Sequence, residues 1–178
     1  MTPMRRVAIF GNAGGGKSTL ARRLAALTGL PLHVVDKIQF TAGGAVPHEE
    51  YLQAHARLID TREWIIDGFG DVPSAWARFA AADTLIHVDL PLATHFLWVT
   101  KRLIQGGFTT PPGWPAGSPI ISSSLSSYRV LWRCHAHLTP RYRSYVAQVQ
   151  GDKRVHRLRS AREIRRFLEA VKQEIGVS

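Results

Sequence analysis

Apolar and polar positions alternate along the chain in blocks of two periods. Arg6-Val-Ala-Ile-Phe10 is a short run of β-favouring residues that stops at Gly11, and it predicts a buried strand. Lys17 to Thr28 predicts a helix, with Leu20, Leu24 and Leu27 on one stripe and Gly29-Leu30-Pro31 ending it. Leu32 to Val35 reads as a second strand closed by Asp36. Residues 41–47 read as a Gly/Pro loop, and Glu49 to Asp60 as an amphipathic helix. Trp64-Ile-Ile-Asp67 before Gly68, and Thr84 to Asp89 before Pro91, repeat the strand-then-turn pattern. Ala93 to Gln105 predicts a helix, as does a segment from about Ser126, with a further helix start at Pro140. Arg154 to Leu158 is the last strand, and Ser160 caps a final helix reaching about Glu174. Strands that alternate with helices predict an α/β fold, a parallel sheet with helices on both faces. There is no internal repeat.

Residues 106–127 break this pattern. They contain neither a base nor an acid and are rich in Gly, Pro and Ser. A structureless stretch of this length inside a compact domain reads either as a functional lid or as a disordered segment. Gly106-Gly107 would serve as its hinge, and Pro111-Pro112 and Pro115 would stiffen its middle.

Composition adds class and compartment. The 178 residues are 45% apolar and 20% charged, which suits one globular domain and excludes disorder. No apolar run approaches the roughly 18 residues a membrane helix needs. Glycines end the first apolar run too early for a signal peptide. The one cysteine, Cys134, excludes an internal disulfide. The expectation is a soluble cytoplasmic protein.

Charge changes the picture more. The net charge is +10, and it is segregated: residues 1–100 hold 9 bases and 9 acids, whereas residues 101–178 hold 14 bases and 4 acids. Of the 23 bases 18 are Arg, the side chain suited to bidentate phosphate contacts. Such a half fits either a nucleic acid or a polyphosphate ligand.

The chemistry that decides between them begins at Gly11-Asn-Ala-Gly-Gly-Gly16-Lys17-Ser18, which fits G-x-x-x-x-G-K-[ST] between a strand and a helix. In that context Gly11, Asn12, Ala13, Gly14, Gly15 and Gly16, with Lys17, Ser18 and Thr19, turn successive N–H groups onto phosphate oxygens at a helix N-terminus. Lys17 would reach the β- and γ-phosphates, and the Ser18 hydroxyl would ligate Mg²⁺. Asp67, ending an apolar strand, stands where a second acidic anchor for the metal is expected. Asp36 reads as a substrate contact or as a turn cap, and Asp89, before Leu90-Pro91, as structural. All three carboxylates fall at carboxyl ends of strands, where open parallel sheets bind ligands.

Arginines supply the other half of phosphoryl transfer by neutralising charge on the moving group. The candidates are Arg78, Arg102 at the entry to the neutral loop, and Arg129 and Arg133, four apart on one helical face. Cys134, His135 and His137 match no zinc spacing and read as packing residues. Trp64, Trp76, Trp98 and Trp132 read as core or half-buried aromatics.

The P-loop, Trp64-Ile-Ile-Asp67-Gly68-Phe69, the segment Ala82 to Pro91 and Lys101-Arg102, in this order, resemble the adenylate-kinase-like P-loop kinases, and within them the branch labelled topology modulation proteins. The resemblance covers nearly the whole chain, with motifs specific up to residue 102. It implies one domain over 1–178, a five-stranded parallel sheet of order 2-3-1-4-5, an acceptor-side insert at about 37–62 and a lid at about 103–128. It also implies ATP and Mg²⁺, Lys17 and Ser18 as the phosphate and metal pair, and Asp67 as the second carboxylate. Asp36 falls on the acceptor side, Arg102 opens the lid near adenine, and Arg159-Ser160-Ala161 passes the base. Two departures stand out. Nucleoside monophosphate kinases read Asp-Gly-Phe-Pro-Arg where this chain has Asp67-Gly68-Phe69-Gly70-Asp71, so Arg78 is the substitute for the acceptor-phosphate arginine. The lid has no arginine between Arg102 and Arg129. The expected activity is transfer of the ATP γ-phosphoryl to a nucleotide or similar small acceptor. The alternative is a nucleotide-binding regulator that contacts nucleic acid through the basic half.

Overall fold

The apolar runs become the strands of one parallel sheet because each is flanked by a helix that returns the chain to the same edge. The computed structural model describes residues 4–41, 44–106 and 128–176. In chain order the elements are β1 (Arg6–Gly11), α1 (Lys17–Thr28), β2 (Leu32–Val34), α2 (Val35–Gln39), β3 (Phe40–Thr41), β4 (Gly44–Ala45), α3 (His48–Ile59), β5 (Trp64–Asp67), α4 (Val72–Ala81), β6 (Thr84–Val88) and α5 (Leu92–Gly106). Residues 128–133 form α6, a π turn spans Cys134–Leu138, and α7 (Thr139–Val149), β7 (Arg154–Leu158) and α8 (Ala161–Ile175) follow. Five strands form the sheet β2-β5-β1-β6-β7, all parallel. Counting only these five in chain order, this is the expected 2-3-1-4-5. Among the described residues no helix is long and apolar enough to cross a membrane.

Alternation along the strands divides the core in two. Val7, Ile9, Ile65, Ile86 and Val88 face α1 and α8, where they meet Leu20, Leu24, Phe167, Leu168 and Val171. Ala8, Phe10, Ile66 and Leu85 face the other way, onto Tyr51, Ala75, Phe79, Tyr142 and Val146 of α3, α4 and α7. Aromatic rings fill this second layer. Phe10 lies 4.2 Å from Phe79, 5.1 Å from Tyr142 and, stacked, 5.0 Å from His87.

The caps are local. Ser160 accepts from the Glu163 N–H at 3.1 Å, and Asp71 and Ser74 form a reciprocal capping box on α4. Three sequence expectations change. Asp36, read as closing the second strand, lies instead in the first turn of α2, because the chain becomes helical at Val35. Phe40–Thr41 and Gly44–Ala45 pair as a short antiparallel hairpin that overlaps the segment 41–47 read as loop. Trp132 is 59% exposed, whereas Trp64 is fully buried and Trp76 and Trp98 are half-buried. Trp132 sits on α6, whose inward position is taken by Leu131. Residues 107–127, the core of the expected lid, lie outside the described residues.

Candidate active site

The register of the sheet brings the candidate residues to one edge. Asp67 stands opposite Ile9 of β1 and Val34 of β2, and Gly11 opposite Val88. The loop after β1 therefore begins beside Asp67, and α2 carries Asp36 out of β2 at the same level. In the loop, Gly14 has φ +67°, and a Cβ there would stand 2.5 Å from Val99 Cγ2 of α5, so a side chain is excluded twice over. The first bond of α1 runs from the Leu20 N–H to the Gly16 carbonyl. Earlier N–H groups at this end lie ahead of that ladder.

Lys17 folds back over the loop, its Nζ donating to the Asn12 carbonyl at 2.7 Å. Ser18 and Thr19 are exposed at the start of α1. Asn12 is buried and works in two directions. Its Oδ1 accepts from the Ala13 N–H at 2.8 Å, and its Nδ2 donates to the Leu131 carbonyl of α6 at 3.1 Å. His95 of α5, 1% exposed, completes the frame: its Nδ1–H donates to the Ala13 carbonyl at 2.8 Å. The bond fixes one peptide of the loop against α5.

Asp67 is 2% exposed, and its Oδ1 makes no hydrogen bond among the described residues. An orphaned carboxylate oxygen at the mouth of the loop is an arrangement that a cation or a metal-bound water would satisfy. Asp36 is exposed. Partial desolvation and the nearby Asp67 charge push its pKa up, against Lys17 and Arg78, which pull it down. Gly68 has φ +116°, and a Cβ there would stand 3.0 Å from Val35 Cβ, so the turn after Asp67 is held tightly against α2.

Arg78 occupies an unexpected place. Its side chain lies in α4 with no exposed surface, its Nη2 donating to the Gly68 carbonyl at 2.8 Å and the Phe69 carbonyl at 3.3 Å. Its Nη1 stands 3.4 Å from His55 Nε2. Burial lowers the Arg78 pKa to about 10, and burial together with Arg78 lowers that of His55 to about 4. At neutral pH the guanidinium is therefore charged and the imidazole accepts from it. The side chain ties down the turn behind Asp67 and brings a positive charge toward Asp36 and Asp67.

The remaining candidates are distributed. Arg129 and Arg133 are exposed on α6, which is joined to α5 by the Phe96–Tyr128 stack at 5.4 Å and by the Thr100–Tyr128 hydroxyl pair at 2.6 Å. Arg102 belongs to α5, and its side chain lies outside the described residues. Ser160 is the cap of α8. Asp89 accepts from both Arg143 and Arg157. Burial alone would raise its pKa, but these two arginines hold it low. Cys134, His135 and His137 fall in the π turn, a feature frequent at functional sites. The frame residues His95 and Asn12–Leu131 carry no sequence signal. His95 is one polar position on a helix, and the Asn12 contact spans 119 residues.

No protein-family model matches the sequence, and no curated protein matches it. Solved structures do. Shikimate kinase from Acinetobacter baumannii, in complex with shikimate, aligns over 97% of this chain and 93% of its own, with a TM-score of 0.58 and 13% identity. A sugar kinase from a Janibacter species (TM-score 0.49, 18% identity, 97% and 92% covered) and a gluconokinase from Sinorhizobium meliloti (0.48, 13%, 97% and 91%) also align. At these identities the likeness concerns the fold: the chain has the three-layer α/β architecture of the first of them.

Proposed function

We propose that the chain is an ATP-dependent small-molecule kinase, as the resemblance to adenylate-kinase-like enzymes implies. One observation carries this reading: a glycine loop with its lysine sits at a strand–helix junction, directly beside an unpartnered buried carboxylate, Asp67, and a second carboxylate, Asp36. Gly11 to Thr19 would surround the triphosphate, with Lys17 leaving the Asn12 carbonyl for the β- and γ-phosphates. The Ser18 hydroxyl and Asp67 are of the right chemistry to hold Mg²⁺, directly or through water, and the bound ion would supply charge neutralisation on the phosphates. Arg129 and Arg133, with Arg102, would complete the positive surround, and Ser160 would lie near the base.

The acceptor side favours a hydroxyl over a phosphate. Arg78, the substitute for an acceptor-phosphate arginine, is committed to backbone carbonyls and acts through the Asp67 turn. Asp36 is exposed at the site, with a proton affinity raised by its surroundings, which suits a group that accepts a hydroxyl proton. A hydroxyl-bearing small molecule also agrees with the shikimate bound by the aligned kinase. The basic half is partly consumed internally, since Arg143 and Arg157 bind Asp89 and Lys153 donates to the Ala80 and Ala82 carbonyls. This supports a small ligand over a nucleic acid.

The test is a transfer assay with labelled ATP and Mg²⁺ against nucleotide, sugar and hydroxy-acid acceptors. Lys17→Ala should weaken ATP binding about a hundredfold, the scale of a lost charge-assisted contact. Asp36→Asn should lower turnover about a hundredfold while ATP affinity holds. Equal ATP affinity in the Lys17 variant would end the reading. Full turnover in the Asp36 variant would remove the base.

A further inference from the structure

The nucleotide loop is held from two sides that differ in rigidity. On one side stands α5. His95 Nδ1 donates to the Ala13 carbonyl at 2.8 Å, a Cβ on Gly14 would stand 2.5 Å from Val99 Cγ2, and one on Gly16 would stand 3.0 Å from Trp98 Cζ3. Residues 95, 98 and 99 share one helical face and form a floor under the loop. On the other side stands α6, where the buried Asn12 donates from Nδ2 to the Leu131 carbonyl at 3.1 Å.

The second side cannot hold its own place. Residues 128–133 are too few for a helix that is stable alone, and the π turn Cys134–Leu138 interrupts the helix directly after them. The position of α6 therefore depends on its tertiary anchors. These are the buried Leu131 side chain, Tyr128 against Phe96 and Thr100 of α5, and the bond from Asn12. The segment so held lies close to the loop lysine. Burial pushes the Cys134 thiol pKa up, against Lys17 and Arg133, which pull it down. His95, whose pKa burial lowers, also feels the charges of Lys17 and His135.

Phosphate binding does not require an asparagine here, since the second place of G-x-x-x-x-G-K-[ST] is open. Its side chain is spent inside the protein, with Oδ1 accepting from the Ala13 N–H at 2.8 Å and Nδ2 donating to α6. Its carbonyl accepts from Lys17 Nζ at 2.7 Å. One residue thus joins the lysine, the next peptide of the loop and α6. In the kinase reading Lys17 exchanges that carbonyl for phosphate oxygens, so the exchange acts on the residue that holds α6. We infer that Asn12 is a positioning residue, which sets α6 and the π turn against the nucleotide loop and passes the filling of the loop to them. The passing rests on the kinase reading, whereas the tie itself needs no ligand.

Hydrogen exchange over 129–136, with α8 as the reference, tests both in the wild-type chain, Asn12→Ala and Asn12→Asp. Both variants lose the donor to Leu131, and the aspartate keeps an acceptor for the Ala13 N–H. Without ligand, exchange over 129–136 should rise about fivefold in both, the scale of one hydrogen bond, with α8 unchanged. Unchanged exchange over 129–136, an equal rise in α8, or wild-type behaviour in Asn12→Asp would overturn the tie. With Mg²⁺ and ATP saturating each chain, exchange over 129–136 should slow about threefold in the wild type, and this slowing should be lost in both variants. Slowing in the variants as large as in the wild type, or none in a wild type that binds ATP, would overturn the relay. Calorimetry on the wild type reads ATP binding itself. Its absence would end the kinase reading, and the ligand-free comparison would still decide the tie.

Discussion

The two faces of the sheet are built to different rules. Under α1 and α8 the packing is predominantly apolar: Val7, Ile9, Leu24, Ile86 and Phe167 pack together, with His156 against Phe167 as a polar neighbour. Under α3, α4 and α7 the layer is aromatic and holds Arg78, His55 and His87, all nearly or fully buried. His87 stacks on Phe10, and neither ring nitrogen makes a hydrogen bond among the described residues. Desolvating such groups opposes folding, so burial on this face carries a larger polar cost than on the other. Its polar groups concentrate behind Asp36, Asp67 and Asp89. The first face closes the domain, and the second shapes the carboxyl ends of the strands.

Acid should separate the faces most. His55 and His87 have pKa values lowered to about 4 in the fold, from an ordinary 6.5. Between these values the unfolded chain binds more protons, so stability falls as pH drops from 6.5 toward 4 and is flat above. Each histidine accounts for about 3 kcal/mol at the bottom of the window. Denaturant melts across pH 4–8 should show this slope, to which His33, His95 and His156, also lowered by burial, add, and His87→Phe, which keeps the stack, should reduce it. An unchanged slope in that variant would place the acid sensitivity elsewhere.

Cutting the apolar face should cost stability without adding pH dependence. Leu24→Ala removes a fully buried side chain from the α1 layer and should destabilise by about 3 kcal/mol, equally at pH 5 and pH 8. A loss that grows on acidification would contradict the division. The smallest effect belongs to the local signals. Ser160→Ala removes one cap bond and should cost about 1 kcal/mol, measured by the same melts.

Much of this was legible in the chain. The strand at Trp64–Asp67 was placed to the residue, and those at Arg6–Gly11 and Thr84–Val88 to within one, because an apolar run ended by Gly or Pro is a local signal. The Ser160 cap and the helix start at Pro140 were legible for the same reason. Asp36 was misplaced by one element, since a five-residue helix has too few positions to show a period. Trp132 was misjudged because residue type reports hydrophobicity and not the side of the helix that meets the core.

By itself, the sequence determined the order of strands and helices, the glycine loop with Lys17, and Asp67 and Asp89 at the strand ends. Each of these depends on residues within about four positions of one another, where backbone geometry and side-chain type suffice. Only the tertiary structure decided that Arg78 is sealed behind Asp67, that His95 and Asn12 frame the loop, and that Arg143 and Arg157 share Asp89. The last pairings span 54 and 68 residues. Arginine is suited to both surface phosphate contacts and internal ion pairs. Which role each one takes is fixed by what the folded chain brings within hydrogen-bond reach.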